Sequence, residues 1–275
     1  MGSDSSKKRI LHPHRPRSAR PVVRIDWITR LIRIAMGVAF LGIFYYFFIH
    51  PYVHRWRYVP GQDGYGVYIP SGYSVYGIDI SRYQKDIDWA QVVDNQNSGY
   101  PIRFVFIKAT EGREFRDVKF NENFRNSRRY GFIRGAYHFY IPSVSPEEQA
   151  QNFIATVPLQ AGDLPPVLDV EKSGGKDGAE LRRDVKRWLQ IVEQHYGVKP
   201  IIYASWKFKE HYLKDDVLDS YPFWIAHYYV DSVRYKGKWD FWQYTDLATI
   251  PGIRSHVDMN IFHGTLEELT NLTLK

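Results

Sequence analysis

Two acids spaced two apart close an apolar run at Pro165-Pro166-Val167-Leu168-Asp169-Val170-Glu171. In an extended strand, residues i and i+2 point to the same face, so Asp169 and Glu171 project together from one strand end. Two carboxylates held side by side are equipment for general acid and base catalysis. Taken alone, the spacing also fits a strand running out into a solvated acidic loop. Which applies depends on the elements around the pair and on what else they bring to it.

Runs of β-branched and aromatic residues predict eight strands, at 76–80, 104–110, 133–140, 165–170, 201–205, 223–227, 239–244 and 257–262. Helical patterns fall between them at 117–130, at 146–157 behind Ser145 as cap, and at 179–196 ending on Gly197. Nearly all-apolar strands that alternate with helices indicate a parallel sheet covered by helices, and eight of them in about 200 residues indicate a compact α/β fold, a TIM-like (β/α) barrel. The last segments leave little room for full helices. In such a barrel the reactive groups come from the C-terminal strand ends. Polar residues recur there: Asp79 on the first strand, Glu111 after the second, Tyr137, His138 and Tyr140 on the third, Asp169 and Glu171 on the fourth. Tyr203 follows on the fifth, Trp224 and His227 on the sixth, Trp242, Gln243 and Tyr244 on the seventh, and Asp258 on the eighth. Singly, each has a plain explanation: His138 as a satisfied buried histidine, Tyr203 or Trp224 as packing, Asp79 as a turn cap, Asp258 as a partner for a cation. Four acids from three strands converging on one mouth are harder to explain by packing.

The chain has 275 residues, 44% hydrophobic and 16% aromatic, with 21 Tyr and 8 Trp, which is the composition of a folded core with a stacking cleft. The formal charge of +7 raises nucleic acid as a partner, so its placement matters. Residues 1–57 hold 11 of the 37 Lys and Arg against two acids, a charge of +9, which leaves 26 basic and 28 acidic residues beyond, or −2. The basicity belongs to the tail, and the folded part has no excess for a phosphate backbone. An uncharged apolar run follows at Ile34–Ile49, completed as a span by residues up to Val53, with no small-x-small cleavage site after it. Lysine and arginine crowd one side of it only, which places residues 1–33 in the cytoplasm and the rest outside, as a single-pass anchored protein. Residues 54–74, with Pro60, Gly61, Gly64, Gly66, Pro70 and Gly72, read as a linker, and 75–275 as the barrel domain. No cysteine is present, so a disulfide framework and a lipoprotein anchor are excluded.

Several segments together resemble glycoside hydrolase family 25, the lysozyme-type N-acetylmuramidases. They are Tyr76-Gly77-Ile78-Asp79-Ile80-Ser81, Phe106-Ile107-Lys108-Ala109-Thr110-Glu111-Gly112, Gly135-Ala136-Tyr137-His138-Phe139, Leu168-Asp169-Val170-Glu171, Ile202-Tyr203, Trp224-Ile225-Ala226, Trp242-Gln243-Tyr244 and Val257-Asp258-Met259-Asn260. The likeness runs over about residues 75–263 in order, leaving the N-terminal anchor outside it. It implies an irregular (β/α) barrel that cleaves the β-1,4 bond between N-acetylmuramic acid and N-acetylglucosamine in peptidoglycan, with no cofactor or metal and a monomeric catalytic domain. Glu171 has the longer reach and suits the proton donor, the part the family pattern also assigns it, and a neighbouring carboxylate would raise its pKa. Asp169 would tune Glu171 and orient a water or the substrate acetamido group. Asp79 and Asp258 would stand across the mouth as base, nucleophile or sugar ligands. Tyr137, Tyr140, Tyr203, Trp224, Trp242 and Gln243 are candidates for sugar subsites, with Glu111 and His138 beside them, although Glu111 also pairs naturally with Lys108. The residues by themselves leave open a metal-dependent hydrolase or deacetylase built on the acids and His138, a silent glycan-binding module, and a chitinase-like enzyme.

Overall fold

The computed structural model describes residues 26–49, 64–94 and 99–275, and the chain separates into two compact units, Met1–Val53 and His54–Lys275. In the first unit Asp26 starts helix α1, Trp27–Phe44, by accepting from the Thr29 backbone N–H, and a π-helical turn, Tyr45–Ile49, continues it. The helix therefore begins seven residues before the uncharged run and includes Arg30 and Arg33, because the capping acid, not the last cation, sets its start. Trp27–Ile49 has a mean hydropathy of 1.9 over 23 residues, which at 1.5 Å per residue gives roughly 34 Å. By length and composition this helix can cross a membrane. The end of the expected span, residues 50–53, and most of the expected linker lie outside the described residues.

Among the described residues the second unit holds nine strands: β1 (Val75–Ile80), β2 (Ile102–Glu111), β3 (Phe115–Arg116), β4 (Ile133–Phe139), β5 (Val167–Asp169), β6 (Ile201–Ser205), β7 (Phe223–Ala226), β8 (Phe241–Ala248) and β9 (Val257–Phe262). Strand order β1-β9-β8-β7-β6-β5-β4-β2 is closed by pairing of β1 with β2, which makes an eight-stranded barrel; β3 adds only a short hairpin to β2. Helices α2 (Trp89–Asp94), α3 (Phe120–Arg129), α4 (Pro146–Thr156), α5 (Gly178–Tyr196) and α6 (Trp206–Tyr212) fall between strands, and α7 (Leu266–Leu272) follows β9. Their ends follow local chemistry: Ser145 caps α4 ahead of Pro146, and Gly197, at φ 71°, closes α5 in the left-handed conformation.

The sheet is not all parallel. β9 runs antiparallel to both β8 and β1, because the eight residues from 249 to 256 are too few for a helical crossover and return the chain as a hairpin. The reversal brings the start of β9, not its end, to the mouth, and sets Asp258 directly opposite Asp79. β5 is shorter than the expected 165–170, since Pro165 and Pro166 have no N–H to give to a ladder.

Both faces of the barrel wall are buried, and alternation along each strand divides the side chains into two cores. Phe104, Phe106, Val167, Ile201, Tyr203, Trp224, Phe241 and Phe262 fill the interior, while Ile78, Val105, Ile107, Leu168, Ile202, Ile225, Trp242 and Ile261 pack outward under the helices. The interior admits its phenylalanines only because two strand positions lack side chains. A Cβ on Gly77 would stand 2.4 Å from the Phe104 ring, and one on Gly135 would stand 2.6 Å from Phe106. Neither ring can retreat, because Phe104 and Phe106 both pack edge-on against Phe241. Gly77→Ala is expected to lower stability by about 1–3 kcal/mol through overpacking. Thermal unfolding of the full chain checks this; an unchanged midpoint would show that the floor yields.

Candidate active site

The interior phenylalanines stop below the C-terminal end of the parallel strands, and a cleft of about 230 Å³ opens above them. The alternation that points Phe104 and Phe106 inward carries Lys108 to its wall, and in the same way Tyr137 and Phe139 rise from β4, Asp169 from β5, Tyr203 from β6 and Gln243 from β8. Glu171 stands just past the end of β5 at the exposed rim, and it shares the cleft with Asp79 and Asp258. The four acids are thus brought to one mouth.

Asp79 is buried and anchored from two sides. Its Oδ2 accepts from Gln243 Nε2 at 2.7 Å and from Asn260 Nδ2 at 2.8 Å. Each amide is itself oriented by aromatic donors: Tyr203 and Tyr228 hydroxyls both donate to Gln243 Oε1 at 2.6 Å, and Trp224 Nε1 donates to Asn260 Oδ1 at 2.8 Å. Because the two amide oxygens are occupied, both amides must present N–H to Asp79. Burial raises the Asp79 pKa, and the hydrogen bonds from Asn260, Gln243 and Asp258 offset part of that rise. Asp258 lies higher, at about 9, through burial first and then the charge and hydrogen bond of Asp79. Two carboxyls set opposite each other on paired strands favour a state in which the pair holds one proton, and the higher value of Asp258 puts it on that side.

The second pair differs. Burial raises Asp169 well above the usual carboxylate range, with the charge of Glu171 adding to it, and Asp169 Oδ1 is buried with no hydrogen-bond partner. Glu171 is raised by burial of its carboxyl, while Lys172 and Lys108 pull it back. The expected cause, a neighbouring carboxylate, acts chiefly in the other direction, from Glu171 onto the more deeply placed Asp169.

Raised carboxyl pKa values make the fold prefer the protonated acids. That contribution is complete below the unfolded value near 4 and is lost as pH rises through the folded one, about 9 for Asp258. Asp258→Asn keeps a permanent donor to Asp79 without the ionisation. Its melting temperature should exceed that of the unaltered chain by about 3–8 °C at pH 8 and by less than about 2 °C at pH 5. A variant less stable than the parent at pH 8 would contradict the shared proton.

Four expected subsite residues do not line the cleft. His138 on β4 and Tyr140 just past its end alternate with inward Tyr137 and Phe139, and Trp242 alternates with inward Phe241 and Gln243 on β8, so all three face the outer core. His138 bonds Thr110 Oγ1 at 2.7 Å and Gln149 Oε1 at 3.1 Å and stacks on Trp188, with burial lowering its pKa to about 4. Trp242 Nε1 donates to the His227 carbonyl. Glu111 lies off the lining and pairs with Lys108 Nζ at 2.7 Å. Two residues outside the expected set, Asn260 and Tyr228, complete the support of Asp79. Asn260 was legible as the i+2 neighbour of Asp258 on one strand face; Tyr228, in the segment after β7, carries no local signal. Among the described residues no group of three His, Cys, Asp or Glu side chains is placed to hold a metal ion.

A closed barrel with paired carboxylates and tyrosines in a cleft at the strand ends is the architecture of a carbohydrate-cleaving hydrolase. The chain belongs to the glycosyl hydrolases family 25, whose family model matches residues 78–253. It is 43% identical over 222 residues to the uncharacterized protein YegX of Escherichia coli, covering 80% of this chain and 81% of that one. Lysozyme M1 of Streptomyces globisporus is 32% identical over 213 residues, covering 72% of this chain and 71% of its own. A family 25 glycosyl hydrolase from Bacillus anthracis superposes with a TM-score of 0.68 at 33% identity, over 75% of this chain and 96% of that structure.

Proposed function

We propose that this glycoside hydrolase is a peptidoglycan muramidase in which Glu171 protonates the oxygen leaving on cleavage of the β-1,4 bond between N-acetylmuramic acid and N-acetylglucosamine. The observation that carries the roles is the contrast between the two acid pairs: Asp79 is fully engaged by donors, whereas Asp169 has a buried oxygen with none. An acetamido N–H is a neutral donor that would satisfy Asp169 Oδ1 and favour its charged form. A charged Asp169 then raises Glu171, so that substrate binding loads the acid with its proton. Asp79, held by two amides and by Asp258, is too constrained to attack, and it supplies fixed negative charge near the developing oxocarbenium ion. Tyr137, Tyr203, Trp224 and Gln243 shape the sugar site, with the last three acting chiefly through the hydrogen-bond network beneath it.

The test uses the full chain in detergent on purified peptidoglycan, with the new reducing ends identified by mass spectrometry. Reducing N-acetylmuramic acid is the expected product, and glucosamine ends or no release would overturn the assignment. The helix Trp27–Ile49, preceded by a Lys- and Arg-rich stretch, serves in this reading as a single-pass anchor that leaves residues 1–33 in the cytoplasm and the barrel domain, 75–275, outside beside the cell wall. Protease added to sealed right-side-out vesicles should then degrade the barrel and spare an N-terminal tag; the reverse pattern rejects this topology.

A further inference from the structure

We propose that Tyr83 is a stacking platform for an N-acetylhexosamine unit of the glycan, placed at the rim of the cleft; the proposal rests on the muramidase reading above. Tyr83 is 67% exposed, yet it lines the same cleft as Asp79 and Asp258. Single exposed aromatics are common on protein surfaces and need no ligand. The turn that carries this one is different, since it is held at every residue. Arg82–Gln84 forms a short 3-10 turn closed by a capping box, in which the Ser81 backbone N–H donates to Gln84 Oε1 at 2.8 Å. The Arg82 backbone N–H donates to Asp117 Oδ2 at 2.9 Å, tying the turn to the segment before α3. Gln84 Nε2 donates to the His256 carbonyl at 3.1 Å, tying it to the segment before β9. Lys85 ends the turn at φ 56°, in a backbone region uncommon for residues other than glycine.

The ring is also held by Arg82, which hydrogen-bonds the Tyr83 side chain and leaves the opposite face of the ring for a ligand. The Arg82 guanidinium lies 5.4 Å from the Tyr83 ring centroid and 4.7 Å from that of Phe115, which holds it between the two rings. An aromatic surface fixed in advance loses little freedom on meeting a ligand. What fits an open tyrosine face at the rim of a glycan cleft is the C–H face of a pyranose ring. The sugar bound there lies on the β1 side of the mouth, beside the Asp79–Asp258 pair.

The experiment measures KM and kcat of the full chain on peptide-free glycan of alternating N-acetylglucosamine and N-acetylmuramic acid, with the melting temperature recorded for each variant. Tyr83→Ala should raise KM about tenfold with kcat within about twofold and the melting temperature unchanged, and Tyr83→Phe should restore KM to within about threefold. In a Glu171→Gln background, calorimetry should show the same loss in Kd on adding Tyr83→Ala. A KM within twofold of the parent for Tyr83→Ala, or a fall in kcat accompanied by a lower melting temperature, overturns the platform. Inactivity of the unaltered chain on this glycan would instead reject the muramidase reading on which it stands.

Discussion

Glu171→Gln is expected to lower kcat on peptidoglycan by about 10³-fold while leaving KM within a few-fold and the fold intact. The glutamine keeps the side chain's shape and can still bond the glycosidic oxygen, but it has no proton to give, so the interaction lost is one made only in the transition state. The residue stands at the rim and makes no hydrogen bond that the barrel depends on, so its replacement should not change the melting temperature. The pH profile separates this role from a merely structural one. Burial holds the Glu171 pKa above the ordinary carboxylate value, with Lys172 and Lys108 opposing. A general acid acts only while protonated, so activity is present below that pKa and falls as pH rises through it. The alkaline limb of kcat/KM should therefore lie above the range of an exposed glutamate in the parent and vanish in Glu171→Gln. A variant that keeps both its rate and its alkaline limb would assign the proton to another group.

Asn260→Ala should have the largest combined effect on stability and rate. Asn260 is completely buried, and its amide links two otherwise separate groups: its oxygen accepts from Trp224 Nε1, and its nitrogen donates to Asp79 Oδ2. Truncation leaves the indole N–H without an acceptor and removes one of the two amide donors from a buried carboxyl. Each unsatisfied group costs about 1–3 kcal/mol, so the melting temperature should fall by roughly 5–15 °C in a barrel of this size. Asp79 then retains Gln243 alone among the amides, rises further in pKa and loses its fixed position, for which kcat/KM should drop about 10²-fold. Differential scanning calorimetry and steady-state rates on the same preparation check both. Full activity with a lowered melting temperature would mean that Asp79 does not need its second amide.

The positions of the main elements were readable locally. Ser145 before Pro146 and Gly197 after Tyr196 mark helix ends by backbone chemistry that acts within a turn, and both appear where expected. The strands, too, were visible as apolar runs. Which way their residues face was not, because a strand buried on both sides shows no polar alternation. His138, Tyr140 and Trp242 were therefore indistinguishable in sequence from inward Tyr137, Phe139 and Gln243, and only the closed barrel separates the two sets.

The same division holds for the chemistry. The sequence by itself brought out the carboxyl pair Asp169 and Glu171, the strand-end residues Asp79 and Asp258, and the apolar helix near the N-terminus, since each depends on residue type and short-range spacing. The tertiary structure decided that β9 runs backwards, which places Asp258 against Asp79 although 179 positions separate them. It also decided how the protons are held. The groups that hold Asp79, Gln243 and Asn260, lie 164 and 181 positions away along the chain, and the burial that raises all four acids is supplied by walls from every side of the barrel. A pKa is set by what surrounds a group in space, and spacing along a chain specifies that only where the neighbours are local.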